Sequence, residues 1–303
     1  RTLPGLPAGL WHYDARTHAL VPLPAVVNPT LVGVTVSAVG DAAAAVVATG
    51  IFRRTGYKYR DRAYRYMLAD LGHALENLRL ASGAAGLPLR FLQGFDEDGL
   101  AAALGLDAAE EGVLMLARVG ADDGLPLAGL PPRAEWVPVI GSALGVTHVI
   151  HQASGWRGPV PPRGLQAVAP SALVGGLNDP LPLIAGRRSR RRYAVQPLPV
   201  GALRQLLAAL QVDRPLLSSA LRAHLIVHRA ADLAPGVWRW SPARGELIAH
   251  RIGVDLRRAS RAAALDQDVI GDAAAVLVLV LDRTTWTSDA GGPVEDEHQN
   301  GGS

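Results

Sequence analysis

Two stretches of this chain, one near each end, are imperfect copies of each other, and each copy is cut off on the opposite side. Pro7–Leu20 reads PAGLWHYDARTHAL and Ala234–Leu247 reads APGVWRWSPARGEL, which sets Gly9 over Gly236, Trp11 over Trp238, Tyr13 over Trp240 and Leu20 over Leu247. The correspondence extends to Gly40–Thr55, GDAAAAVVATGIFRRT, and Gly271–Trp286, GDAAAVLVLVLDRTTW. Self-similarity of this kind marks a duplicated structural unit. The first copy runs on into a long helical segment, whereas the second is preceded by GRRSRRRY and a helix. The chain therefore reads as the rear of one module joined to the front of another. Residues 1–154 form the first, 155–186 a linker, 187–290 the second, and 291–303 a flexible tail.

With 303 residues, 49% of them hydrophobic and 19% charged, the chain has globular composition and enough apolar material for two cores. The net charge of +3 rests on Arg, and the run Arg187–Arg192 concentrates five of them, so the basic character points to a local anionic site. Cys is absent, which excludes disulfides, Cys-ligated zinc and thiol catalysis. The longest apolar run, Ala273–Leu281, is about half of what a membrane span needs. A soluble, cytoplasmic protein without a membrane partner is expected.

Leu10–Tyr13 and Ala19–Leu23 flank the polar turn Asp14–His18 and read as a hairpin, while Val46–Phe52 and Val113–Val119 suit buried strands. Between them Tyr64, Met67, Leu68, Leu71, Leu75, Leu78 and Ala81 recur at helical spacing, so a core helix is expected over 61–85, capped by Asp61 and closed by Gly86. Glu97–Leu104 is a shorter helix, with Asp96, Glu97 and Asp98 at its start favouring the helix dipole. Six prolines mark 155–186 as the linker. Beyond it, Pro199–Leu210 presents Val200, Leu203, Leu206, Leu207 and Leu210 at helical spacing. Strands follow at Ala223–His228, Val237–Trp240, Leu247–Ile252 and Ala274–Leu281. Prominent hairpins mixed with helices favour an α+β fold over a doubly wound sheet.

The run Gly186–Tyr193, GRRSRRRY, places guanidiniums and a hydroxyl just ahead of a helix. Arg pairs bidentately with phosphate oxygens and Ser adds a hydrogen bond, so the run suits a phosphate; a solvated basic surface or a nucleic-acid contact uses the same residues. Tyr57-Lys58-Tyr59-Arg60 reads, by itself, as a polar turn entering a helix. His148 and His151 have no acidic partner at ligand spacing and read as structural, as does His73; no metal site is expected. Glu110-Glu111 and Asp122-Asp123 read as solvated loops. GxSxG, Walker A and GxGxxG motifs are absent.

Several ordered motifs together resemble a known family. RRSRRRY followed by PLPVGALRQLLAAL looks like the opening of the FMN-dependent nitroreductase superfamily. PAGLWHYDARTHAL, TGYKYRDRAYRYMLADLGHALENLRLASGAAGL, QGFDEDGLAAALGLD and VTHVIHQAS are similar to successive segments of SagB-type dehydrogenases, the tandem nitroreductase-like proteins that include peptide azoline oxidases. The resemblance covers most of residues 5–155 and, more weakly, 186–286. It implies a nitroreductase-like fold with a mixed or antiparallel sheet packed by helices, FMN as cofactor, a small-molecule or peptide substrate, no nucleic acid, and a homodimer.

By the same resemblance, Arg187, Arg188, Ser189 and Arg191 match positions that hold the FMN phosphate and ribityl chain. Gly94, Ser218 and Ser219 fall in segments that lie beside the flavin. Lys58 and Tyr59 match the pair that azoline oxidases use around proton abstraction. An ammonium shielded from water loses its proton more readily, which suits a Lys beside a flavin to act as base. The chain departs from the family at Pro88, which removes a backbone donor, and at Leu217–Ala223, which lacks the family's Gly and Pro. These departures fit a competing expectation, a nitroreductase fold without flavin that acts as a structural or peptide-binding partner.

Overall fold

In a computed structural model, the described residues are 5–23, 42–92, 95, 97–120, 150–151, 179–210 and 221–282. The chain divides into two compact units, Arg1–Gly186 and Arg187–Ser303.

Unit 1 opens with the expected hairpin, β1 (Trp11–Asp14) and β2 (Ala19–Pro22), paired antiparallel. Its turn is pinned by Asp14, whose carboxylate accepts the Arg16 N–H at 3.0 Å and the Thr17 hydroxyl at 3.0 Å. Then follow β3 (Ala44–Ile51), α1 (Phe52–Tyr59), a short 3-10 turn (Arg60–Arg62) and α2 (Ala63–Ala84). After these come β4 (Leu89–Phe91), α3 (Glu97–Ala103), β5 (Glu111–Val119) and α4 (Leu181–Gly186).

The three long-range strands make an antiparallel sheet in the order β3-β5-β4, with β5 central and almost continuously buried. Alternation, broken once where β5 carries the extra residue Leu114 opposite the Ala48–Thr49 step, sorts its side chains onto two faces. Leu89, Phe91, Met115 and Ala117 meet Leu71, Leu75 and Leu78 of α2, while Leu92, Val113 and Leu116 meet Leu100 and Ala101 of α3. Phe52, Tyr64 and Met67 form a third cluster where α1 joins α2.

Several expectations need correction. Phe52 ends no strand; fully buried, it starts α1, so the stretch read as a polar turn is helical. The long helix begins at Ala63 rather than at Asp61, and no side chain caps it. Leu68, assigned to its apolar face, is exposed. The helix does close at Gly86, whose φ of 64° lets Leu87 N–H return to Ser82 O at 2.9 Å. The last six residues of the expected linker are α4, which packs on α2.

Unit 2 contains α5 (Val200–Ala208), β6 (Leu221–Val227), β7 (Gly236–Ser241), β8 (Glu246–Ile252), α6 (Arg257–Ala263), α7 (Asp268–Asp272) and β9 (Ala275–Leu281). The strands form one antiparallel sheet, β8-β7-β6-β9. Leu203 and Leu207 of α5 bury against Leu225, Val227 and Trp240, whereas Leu206 faces solvent, contrary to its assignment to the buried face. Buried His228 ties three elements together: its Nδ1 lies 3.0 Å from Ala273 O and its Nε2 3.0 Å from Ser260 Oγ.

The sequence copies adopt the same local geometry. Trp11 pairs with Pro22 and Tyr13 with Leu20; at one constant offset, Trp238 pairs with Ala249 and Trp240 with Leu247. The Trp11 indole donates to Pro7 O at 3.2 Å and the Trp238 indole to Ala234 O at 3.0 Å, each reaching four residues back. The second pair of copies forms β3 and β9.

Candidate functional site

The sequence-derived residues fall on both units. Lys58 and Tyr59 end α1, in unit 1. The ammonium of Lys58 sits 5.1 Å from the centre of the Tyr59 ring, and that ring stacks on Tyr66, one turn into α2, at 4.4 Å and 36°. A cation over an aromatic face is attracted by the ring's quadrupole, so the two side chains hold each other in place. Lys58 is exposed.

Arg60, the next residue, has φ 48°, a left-handed conformation that a non-glycine residue adopts only under strain. It lies where the chain passes from α1 into the 3-10 turn, and Lys58, Arg60, Arg62 and Arg65 are all exposed. Arg53, at the start of α1, is anchored instead: its Nε lies 3.0 Å from Glu110 Oε2. That contact raises the Arg53 pKa above its ordinary value, and it shows that Glu110 is not a purely solvated loop residue.

Arg187, Arg188, Ser189 and Arg191 lie in unit 2, in an exposed segment that precedes α5. Arg187 Nη1 donates to Ser189 Oγ at 3.3 Å, which sets guanidinium and hydroxyl side by side. Arg188 turns away and donates to Arg187 O at 2.8 Å. The segment is fastened by Arg229, a residue the sequence reading missed, whose Nη2 donates to Ala194 O at 3.2 Å and to Asp272 O at 2.6 Å. Gly94, Ser218 and Ser219 lie outside the described residues.

His151, read as structural, is buried against Phe52 and Tyr64 with Nδ1 3.1 Å from the Tyr64 hydroxyl. Glu97, far from it in sequence, brings its Oε2 to 3.9 Å from His151 Nε2. Gly112 leaves room for this packing, since a Cβ there would lie 2.6 Å from His151 Cδ2 and 2.7 Å from Phe52 Cζ. His148 lies outside the described residues. Among the described residues no group of three or more His, Asp or Glu gathers at metal-binding distance, and no helix is long and apolar enough to cross a membrane.

Comparison with known proteins places this architecture. The fold is nitroreductase-like, helices packed with antiparallel sheets: a crystal structure from Anabaena variabilis of a protein described as a nitroreductase matches 94% of the chain with a TM-score of 0.74, at 20% identity. The chain spans 65% of that protein's length. Residues 12–121, the stretch from β1 through β5, match the sequence model of the Nitroreductase family. A chain of the E. coli microcin synthetase McbBCD complex, solved with truncated pro-MccB17 bound, is 27% identical over 37% of this chain and 44% of its own. Its TM-score of 0.32 is too low to carry a structural argument. No curated protein matches the sequence.

Proposed function

We propose that the chain serves an FMN-dependent oxidoreductase of the nitroreductase class, of SagB type, that moves hydride between flavin and a peptide azoline or similar small substrate. The observation that carries this reading is the Lys58–Tyr59 pair, held by its cation–π contact at an exposed helix end inside the segment that matches the Nitroreductase family. The donor set of Arg187, Ser189 and Arg191 fits a phosphate monoester, with a guanidinium and a hydroxyl already adjacent. FMN, when bound, supplies the two-electron acceptor. Arg187, Ser189 and Arg191 would bind its phosphate and fix its orientation. Lys58 Nζ, as the free amine, would take the proton from the substrate, with the Tyr59 hydroxyl as its hydrogen-bonding neighbour.

The same proposal makes residues 1–154 the rear of one module and 187–290 the front of a second, with 155–186 between them and 291–303 as a tail. The common register of the two hairpins and their matching indole hydrogen bonds support it. A homodimer in which a second copy completes the flavin site is part of the reading.

Lys58→Ala tests the mechanism. Flavin retention should stay unchanged while the rate of flavin reduction by substrate drops on the order of a hundredfold or more, the usual contribution of a general base. An undiminished rate removes Lys58 from the chemistry. One observation favours the reading without flavin. Pro88, in the turn before β4, offers no N–H, and its carbonyl is already taken by the Gly120 N–H at 2.9 Å.

A further inference from the structure

The stretch 53–66, RRTGYKYRDRAYRY, carries six cations, Arg53, Arg54, Lys58, Arg60, Arg62 and Arg65, against the single carboxylate of Asp61. Its excess of positive charge is larger than the +3 of the whole chain. Among the described residues, carboxylates neutralise only Arg53 of these, through Glu110. Arg54, Lys58, Arg60, Arg62 and Arg65 are exposed and make no ion pair with any described carboxylate.

Stability alone does not explain this placement. Arg62 and Arg65 sit at the N-terminal end of α2, where the helix dipole disfavours cations, and its first turn holds no acidic residue. Arg60 adds backbone strain at φ 48°. Local preferences broken together at an exposed position point to a binding role.

We propose that this strip is a docking surface for an acidic peptide segment. Carboxylates match unpaired guanidiniums in charge and in hydrogen-bond geometry. A single-stranded nucleic acid also offers negative charge, but it needs open aromatic faces for base stacking. The Tyr59 ring is engaged by Lys58 and by Tyr66, which leaves Tyr57, 92% exposed, as the free ring of the strip. Because Lys58 belongs to both the strip and the proposed catalytic pair, the acidic segment lies next to the reacting group of a peptide substrate. That placement rests on the proposed function; the binding itself does not.

The test is fluorescence anisotropy with a labelled Glu-Gly repeat peptide, its Gln-Gly counterpart, and a single-stranded oligothymidylate of equal charge. The full chain should bind the Glu-Gly peptide in preference to both others. Binding should weaken several-fold between about 0.05 and 0.5 M salt, where screening shortens the range of surface charge. Arg62→Glu with Arg65→Glu should weaken it roughly tenfold, since each exposed pair contributes modestly and both are reversed. The milder Arg62→Gln with Arg65→Gln, at exposed positions, should give an intermediate loss. Equal affinity for the Gln-Gly peptide, tighter binding of the oligothymidylate, or unchanged affinity in both double variants overturns the proposal. Because the readout is binding rather than turnover, a failure of the flavin chemistry and a failure of the strip show up in different measurements.

Discussion

Gly9 and Gly236 occupy the same place in the repeat, yet replacing each with Ala should have very different consequences. Gly236 opens β7 at φ 140°, a conformation that strains any L side chain by about 1–3 kcal/mol. A Cβ at Gly236 would lie 2.8 Å from Ile252 Cα and 3.0 Å from the Arg251 carbonyl carbon, and nearer still to Arg251 O. These are backbone atoms of β8, paired with β7 in register and held at the same end by the Gly253 N–H to Pro235 O bond of 2.8 Å. They cannot rotate aside, so overpacking adds about 1–3 kcal/mol. Gly236→Ala should therefore destabilise unit 2 by roughly 3 kcal/mol. At Gly9 the nearest atom to an added Cβ is Trp11 Nε1 at 3.6 Å, an ordinary contact. Gly9→Ala should cost less than about 0.5 kcal/mol. Urea denaturation of both variants, compared at the transition midpoint with the slope unchanged, measures the difference. Equal midpoints would refute the reasoning from the close β7–β8 approach.

Other perturbations follow from single contacts. Arg60→Gly removes left-handed strain at a helix C-cap, where glycine is favoured, and should stabilise unit 1 by about 1 kcal/mol while weakening acidic-peptide binding; a loss of stability in urea would contradict the strain. Ser260→Ala deprives buried His228 of its Nε2 partner and should cost about 1–3 kcal/mol; a midpoint within error of wild type would mean that the contact contributes nothing. The Asp14 carboxyl is held below its ordinary value of 3.8, first by the Arg16 N–H and then by the Thr17 hydroxyl. Its stabilisation of the hairpin is fully present above the ordinary value and lost as pH falls through the lowered one. Protection of the Arg16 amide, taken relative to its intrinsic exchange rate, should therefore fall only below about pH 4, and Asp14→Asn should abolish that dependence; an onset near neutrality would point to another group.

The duplication was readable because its carriers act locally. A tryptophan whose indole bonds four residues back, a short polar turn and a strand pairing across it need nothing from distant parts of the chain. The strands of unit 2 were readable for the same reason, as short apolar runs, three of them with Gly or Asp at one end. Helix α1 was hidden because Thr55 and Gly56 are weak helix formers; Phe52, buried in the core, and Arg53, bonded to Glu110, fix it by contacts distant in sequence. The Glu97–His151 approach likewise exists only after the chain has folded. At the candidate site, motif resemblance picked out Lys58 and Tyr59, but not the cations around them. Their charge is plain in the sequence, whereas their lack of ion pairs with any described carboxylate is a property of the folded surface.

The central claim is that Arg187, Ser189 and Arg191 hold the phosphate of a flavin. The most direct measurement is the visible absorption spectrum of the purified protein after FMN is added and excess removed by desalting, for wild type and for Arg187→Ala with Arg191→Ala. The account predicts a flavin band retained by the wild type and lost from the double variant, with folding intact in both because these side chains are exposed. No band in the wild type, or an equal band in the variant, would contradict it.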